Sequence, residues 1–128
     1  MRILVDTCTF LWLAADATEL SPASKAACVD PANDVYLSAV SAWEIAIKCH
    51  LGRLPLPIPP QEYVVSRREW LGLERLDLDE VAAAHTHLLP DLHRDPFDRA
   101  LVAQAIVNGL TLITPDPLVR VYPVPTMW

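Results

Sequence analysis

Residues 2–6 read Arg-Ile-Leu-Val-Asp, an apolar run that ends at a carboxylate. Apolar residues at successive positions are typical of a short strand that is buried on both faces of a parallel sheet. An acid that directly follows a buried strand is costly unless it has a partner. Asp6 is therefore the first residue that we expect to have a function, and the sheet around this strand decides the fold.

Two later segments repeat this apolar pattern, at residues 35–40 (Val-Tyr-Leu-Ser-Ala-Val) and 110–114 (Leu-Thr-Leu-Ile-Thr). A shorter strand is predicted near residues 73–76. Helical patterns fill the intervals, and they lie near residues 10–13, 22–29, 41–51, 61–71, 80–87 and 96–108. Strands that alternate with helices predict an α/β fold, here an α/β/α sandwich with a mainly parallel central sheet.

Two of these helices have well-marked ends. Ser41 is predicted to open a helix whose apolar stripe begins at Trp43, and Gly52 ends it. We expect Trp43 to lie in the core. Asp95, followed by proline, opens the last helix, and Gly109 ends that one.

The length of 128 residues predicts one domain, over residues 1–128. Four prolines between residues 55 and 60 predict an extended connection within it.

The net charge of −6, from 16 acidic and 10 basic residues, argues against binding of duplex nucleic acid through a broad basic face. Three cysteines do not suit a disulfide scaffold, which favours the cytoplasm. No apolar run approaches the roughly 20 residues that span a bilayer, so no membrane contact is expected.

Four acidic residues stand where they could meet. Asp6, Glu44 and Asp116 each come just after a predicted strand, and Asp98 lies in the first turn of the last helix. In open parallel sheets, ligands bind outside the carboxyl ends of the strands. Carboxylates that converge there repel one another unless a cation neutralises them. Because oxygen donors suit hard cations, Mg²⁺ or Mn²⁺ is the expected ion.

Each acid also has a structural interpretation, which the pattern leaves open. Glu44 stands three residues after Ser41, as in a capping box, and four residues before Lys48, as in a helical ion pair. Asp98 suits the positive end of a helix, and Asp116 suits a turn. The pair of histidines in His85-Thr86-His87 lacks a third zinc ligand, and Cys49-His50 lacks an orienting group.

Three segments carry a family resemblance: ILVDTCTFLWL (3–13), LSAVSAWEIAIKCHLGRLPLP (37–57) and HRDPFDRALVAQAIVNGLTLITPD (93–116). Together with the order Asp–Glu–Asp–Asp, they resemble a PIN domain, and more narrowly the VapC-type toxins of bacterial type II toxin–antitoxin modules. The resemblance covers residues 3–116, nearly the whole chain. Its WEIAIK and DPFDR segments are the most specific parts.

The resemblance implies a Mg²⁺- or Mn²⁺-dependent endoribonuclease, in which a metal-activated water attacks the scissile phosphate of RNA. Asp6, Glu44 and Asp98 match the three core catalytic and metal-binding acids of the family, and Asp116 matches the fourth, more variable one. The resemblance also assigns accessory positions. They are Thr7, Thr114 and Asp95, of which the last is expected to cap its helix.

The resemblance further implies a homodimer and a cognate antitoxin protein that occupies the active-site groove. Among the basic residues, Lys48, Arg94 and Arg99 are candidates for contact with RNA phosphates. Two alternatives compete with the ribonuclease. One is a phosphatase-like hydrolase with Asp6 as nucleophile, disfavoured because position 8 is cysteine where a second acid is expected. The other is an inactive PIN-like interaction module.

Overall fold

A computed structural model describes all of residues 1–128 and contains five strands and six helices. The strands are Arg2–Val5 (β1), Asp34–Ser38 (β2), Glu74–Leu76 (β3), Thr111–Ile113 (β4) and Thr126–Met127 (β5). The helices are Thr7–Ala15 (α1), Pro22–Val29 (α2), Ala39–His50 (α3), Pro60–Trp70 (α4), Glu80–His85 (α5) and Pro96–Asn108 (α6), and a 3₁₀ turn follows α5 at Thr86–Leu88.

The five strands form one sheet in the order β3-β2-β1-β4-β5, and every neighbouring pair is parallel. Ile3 of β1 pairs with Val35 on one side and with Thr111 on the other. The chain leaves β1 toward β2 and β3, and it later returns to the opposite side of β1 to form β4. The strand order therefore reverses between β1 and β4, which is the position where sheets of this kind bind ligands.

Side chains of β1 alternate between two cores. Ile3 and Val5 pack with residues of α1, α2 and α4 on one face of the sheet. Leu4 packs on the other face with residues of α6 such as Leu101 and Val102. All three β1 side chains are fully buried. Helices thus cover both faces, and the predicted α/β/α sandwich with a parallel sheet is confirmed.

Several predicted boundaries are also confirmed. α2 begins at Pro22 with Ser21 as its N-cap. Residues 55–59 are neither helix nor strand, whereas Pro60, predicted as part of this connection, is the first residue of α4, a position that suits proline. α6 runs from Pro96 to Asn108 with Asp95 as its N-cap. Gly109 ends α6 in the left-handed conformation, with φ of 64°.

The start of α3 differs from the prediction. The helix begins at Ala39, and its N-cap is Ser38, not Ser41. The Ser38 hydroxyl accepts a hydrogen bond from Val40 N at 3.0 Å and pairs with the buried Gln104 of α6. β2 ends at Ser38, and the tertiary contact of this residue is one that no local pattern reveals. The capping-box interpretation of Glu44 is therefore wrong.

The position of Trp43 is a second correction. The buried positions of α3 are Val40, Ser41, Glu44 and Ile45, and Trp43 lies off this face and is 59% exposed. Its ring meets the edge of Phe97 with 5.1 Å between centroids. The prediction of a core tryptophan is wrong, and the buried stripe of α3 includes a carboxylate instead.

Strand β5 was not predicted from the sequence.

No helix combines the length and the hydropathy needed to cross a bilayer.

Gly109 allows a direct test of how α6 ends. A methyl group at this position would meet no atom within 4 Å, so Gly109→Ala changes only the backbone energy of the left-handed conformation. We expect it to lower the free energy of unfolding by about 1 kcal/mol, measured by urea titration. Gly109→Asn should cost less, because asparagine tolerates this conformation better. Equal losses for the two variants would contradict this assignment.

Candidate active site

Asp6 lies at the carboxyl end of β1, beside the position where the strand order reverses. It is only 6% exposed. Its backbone N–H donates to the carbonyl of Ile113 at 3.1 Å, which ties it to the end of β4. Its carboxylate caps α1 by accepting a hydrogen bond from Thr9 N at 2.8 Å. The Cys8 thiol also donates to it at 3.3 Å. The helix N-terminus therefore provides the partner that this buried acid requires.

Glu44 reaches the same edge of the sheet from the second turn of α3. It is 5% exposed, and two groups hold its carboxylate. The Thr7 hydroxyl donates to one oxygen at 2.7 Å, and Lys48 pairs with the other oxygen at 2.5 Å. The Ser41 hydroxyl lies 2.9 Å from that of Thr7. The hydrogen bond to Glu44 raises the pKa of Lys48. The predicted helical pair of Glu44 and Lys48 is confirmed.

Asp98 completes this group from the first turn of α6. Asp95, the N-cap, accepts hydrogen bonds from Phe97 N at 2.9 Å and Asp98 N at 3.3 Å, so its expected capping role is confirmed. Burial, together with the negative charges of Asp95, Glu44 and Asp6, raises the pKa of Asp98 to about 7, and burial is the largest cause. The three predicted core acids therefore interact electrostatically in the folded chain.

His93 is a neighbour of Asp98 that sequence analysis missed. Its Nε2 lies 3.4 Å from Asp98 Oδ2, and its Nδ1 lies 2.7 Å from the hydroxyl of Tyr122. The hydrogen bond from His93 opposes the rise in the pKa of Asp98. The available signal was the position of His93 five residues before Asp98 in the HRDPFD segment. Its partner Tyr122 is remote in sequence, so no local pattern links them.

Asp116 and Thr114 lie just after β4. Thr114 is fully buried, and its hydroxyl accepts a hydrogen bond from Asp116 N at 3.1 Å. One oxygen of Asp116 accepts a hydrogen bond from Leu118 N at 2.9 Å, as in an Asx turn. Asp116 is not among the groups that shift the pKa of Asp98. Its role as a fourth ligand stays a prediction, as does that of Thr114.

The three basic residues predicted to contact RNA differ in their exposure and in their contacts with the rest of the protein. Arg94 is exposed. Lys48 is nearly half exposed but is paired with Glu44. Arg99 is tied to the protein: its guanidinium donates to the carbonyls of Pro90 at 2.8 Å and Thr86 at 3.0 Å. Arg94 is therefore the cation of this group that is best placed to meet a substrate.

The acids have the chemistry of a hard-cation site without being assembled into one. The candidate ligands are all carboxylates, the donor type that Mg²⁺ and Mn²⁺ prefer. Burial and neighbouring negative charges raise the pKa of Asp98, so a cation would favour its ionised form. No three His, Cys, Asp or Glu side chains lie together in a group able to hold a metal ion as they stand. Glu44 is paired with Lys48, and Asp98 lies beside His93. Metal binding by these acids stays a prediction.

With the fold and the acidic site described, comparison with known proteins identifies the family. The PIN domain profile matches residues 3–122, and the chain belongs to the PIN domain family. Ribonuclease VapC16 of Mycobacterium tuberculosis is 40% identical over 90 residues, which cover 64% of this chain and 62% of that relative's length. Ribonuclease VapC22 of the same organism is 29% identical over 129 residues, 98% of each protein. The resemblance to VapC-type PIN domains is therefore confirmed.

Solved structures share the fold at low sequence identity. VapBC2 from Rickettsia felis, solved with a DNA fragment of its promoter, matches with a TM-score of 0.71 and 13% identity over 100% of this chain and 99% of that chain. FitAcB from Neisseria gonorrhoeae matches with a TM-score of 0.61 and 21% identity, over 98% and 96%. VapBC-1 from nontypeable Haemophilus influenzae matches with a TM-score of 0.64 and 14% identity, over 99% and 97%.

The raised pKa of Asp98 predicts how stability depends on pH. The folded chain holds a proton on Asp98 up to about pH 7, whereas an unfolded aspartate loses it near 3.8. The contribution of this proton to stability is fully present below 3.8 and is lost as pH rises through about 7. Without divalent metal, Asp98→Asn should therefore raise the free energy of unfolding at pH 8 by about 1–2 kcal/mol, after allowance for solvent screening of a carboxylate that is only partly buried.

The gain should shrink at pH 5, because wild-type Asp98 is then largely protonated. Urea titrations at both pH values measure the difference, and Asp34→Asn, an exposed acid at the amino end of β2, is the matched control. A gain from Asp98→Asn that is the same at pH 5 and pH 8 would contradict the raised pKa.

Proposed function

We propose that this protein is a metal-dependent endoribonuclease that cleaves RNA with Mg²⁺ or Mn²⁺ at the Asp6–Glu44–Asp98 site. The observation that carries the proposal is the placement of these acids at the carboxyl edge of a parallel sheet, where burial and, to a smaller extent, neighbouring carboxylates raise the pKa of Asp98. The relatives named as ribonucleases support RNA as the substrate class.

Asp6, Glu44 and Asp98 would hold the cation, with Asp116 as the expected fourth ligand. When bound, Mg²⁺ or Mn²⁺ supplies a positive charge that stabilises the negative charge developing on the phosphate, and it lowers the pKa of a water molecule. No cysteine or histidine nucleophile is required by this chemistry.

The protein's own residues prepare the site for this reaction. Asp6 is fixed by the first turn of α1 through Thr9 N. The Thr7 hydroxyl donates a hydrogen bond to one oxygen of Glu44. This carboxylate would therefore keep its orientation if Lys48 released the other oxygen. Burial and nearby carboxylates make the ionised form of Asp98 unfavourable, so a bound cation would stabilise that form. Arg94 would contact a flanking phosphate, because it is exposed and lies next to the Asp95 cap.

We further propose that the ribonuclease is the toxin of a type II toxin–antitoxin module and that a cognate antitoxin protein restrains it. The support is the named VapC relatives together with solved structures of VapBC and FitAB assemblies, which share the fold. A homodimer that acts in the cytoplasm belongs to the same proposal.

Cleavage of RNA tests the proposed activity. Purified protein should cut a structured RNA with Mn²⁺ or Mg²⁺, and EDTA should abolish the cut. Asp6→Asn and Asp98→Asn should each lower the rate by on the order of 100-fold or more, because each removes a charge that holds the cation. Asp116→Asn should be milder. Asp34→Asn, at the opposite edge of the sheet, should cleave like wild type.

Cleavage that survives EDTA, or that Asp6→Asn and Asp98→Asn both retain at full rate, would sink the carboxylate–metal mechanism. If wild type fails to cleave any RNA and binds no metal, the inactive interaction module is the better interpretation.

Expression in bacteria tests the toxin proposal. Induced wild-type protein should arrest growth, and co-expression of the small protein encoded beside it should restore growth. Asp98→Asn, produced at the same level, should be harmless, because the arrest depends on cleavage. Equal arrest by wild type and Asp98→Asn would show that toxicity does not come from this site.

A further inference from the structure

Three side chains outside the acidic group form a continuous chain of hydrogen bonds that ends on Asp98. Arg99 Nη1 lies 3.0 Å from the Tyr122 hydroxyl, and that hydroxyl lies 2.7 Å from His93 Nδ1. On the far side of the ring, His93 Nε2 lies 3.4 Å from Asp98 Oδ2. This last contact is long, as contacts at active sites without bound ligand often are.

The direction of this chain follows from its first member. A guanidinium can only donate, so the Tyr122 oxygen must accept from Arg99. The one proton of the Tyr122 hydroxyl is then free to be donated to His93 Nδ1. A neutral ring that accepts at Nδ1 carries its proton on Nε2, which faces Asp98. The contact with Arg99 therefore leaves the Tyr122 proton free for His93, which favours the Nε2–H tautomer.

The chain is held rigidly. Tyr122 is only 3% exposed, and the His93 side chain is 10% exposed. Both terminal nitrogens of the Arg99 guanidinium are fixed, because Nη1 donates to the carbonyl of Pro90 and Nη2 to that of Thr86. The cation of Arg99 lies over the Tyr122 ring, 5.9 Å from its centroid, so it cannot leave without losing this contact as well.

We propose that His93 is a positioning residue of the active site: Tyr122 holds it as the Nε2–H tautomer, and its Nε2–H fixes the direction of the Asp98 carboxylate. The inference rests on the proposed function, since it assigns Asp98 to the cation. Arg99 then acts as an anchor for this chain. A metal ligand whose second oxygen is held by a fixed donor loses less freedom when the ion binds.

The tautomer of His93 can be observed without metal or RNA. Long-range ¹H–¹⁵N correlation spectra of protein labelled with ¹⁵N-histidine distinguish the Nε2–H from the Nδ1–H form. Wild type should show His93 as Nε2–H, and Tyr122→Phe, which removes only the hydroxyl, should give a mixture of both forms. Wild-type His93 as the Nδ1–H form, or an unchanged Nε2–H form in Tyr122→Phe, would overturn the proposal.

Two amide substitutions separate positioning from mere packing. The side-chain nitrogen of His93→Gln can reach the place of Nε2, whereas that of His93→Asn reaches only the place of Nδ1. We expect His93→Gln to keep Mn²⁺ affinity within about 3-fold of wild type and His93→Asn to lose about 10-fold, measured by isothermal titration. His85→Gln, in the half-buried histidine that ends α5, is the control and should bind like wild type.

Thermal melting of each variant identifies any that has simply lost its fold. Equal Mn²⁺ affinity in folded His93→Gln and His93→Asn would overturn the positioning role. If wild type itself neither binds Mn²⁺ nor cleaves RNA, the proposed function fails, and the comparison of wild type with Tyr122→Phe still decides whether Tyr122 sets the His93 proton.

Discussion

The burial of the Asp98 carboxylate close to other acids is the constraint on which the chemistry of this site depends. The parallel sheet ends β1 and β2 at one edge, and α6 begins beside it, so three chain segments deliver carboxylates to one place. Each acid also has its own hydrogen-bonding partner: an α1 backbone N–H for Asp6, Thr7 and Lys48 for Glu44, and His93 for Asp98. None of these partners is shared, so each carboxylate is held separately.

The acidic site lowers the stability of the folded chain in exchange for a reactive carboxylate. The raised pKa of Asp98 means that its charge is unfavourable in the folded chain at neutral pH. A sheet with apolar side chains on both faces supplies the compensation, since Ile3, Leu4 and Val5 are fully buried immediately before Asp6. Proteins are commonly less stable where a functional site gathers charged groups. Binding of a ligand at that site then stabilises the folded state.

The parts of the fold and of the site that depend on local sequence patterns could be predicted, and those that depend on tertiary contacts could not. The apolar run before Asp6 and the Asp95-Pro96 start of α6 are local patterns, and both elements formed as expected. Ser38, the N-cap of α3, also pairs with Gln104, 66 residues away. The exposed position of Trp43 reflects which face of α3 packs against the protein, and periodicity had indicated the wrong face. The pairing of His93 with Tyr122 spans 29 residues and is likewise invisible in the sequence. Local chemistry thus predicted the acids, and tertiary contacts determined their partners.

Titration of the Asp98 carboxyl carbon by ¹³C NMR, with and without Mg²⁺, tests the central claim most directly. The account predicts a pKa near 7 in the metal-free protein, caused by burial and by the neighbouring carboxylates, and a clear fall when Mg²⁺ is added. A metal-free pKa close to the ordinary value of 3.8, unchanged by Mg²⁺, would contradict it, because the three acids would then neither interact with one another nor hold a cation.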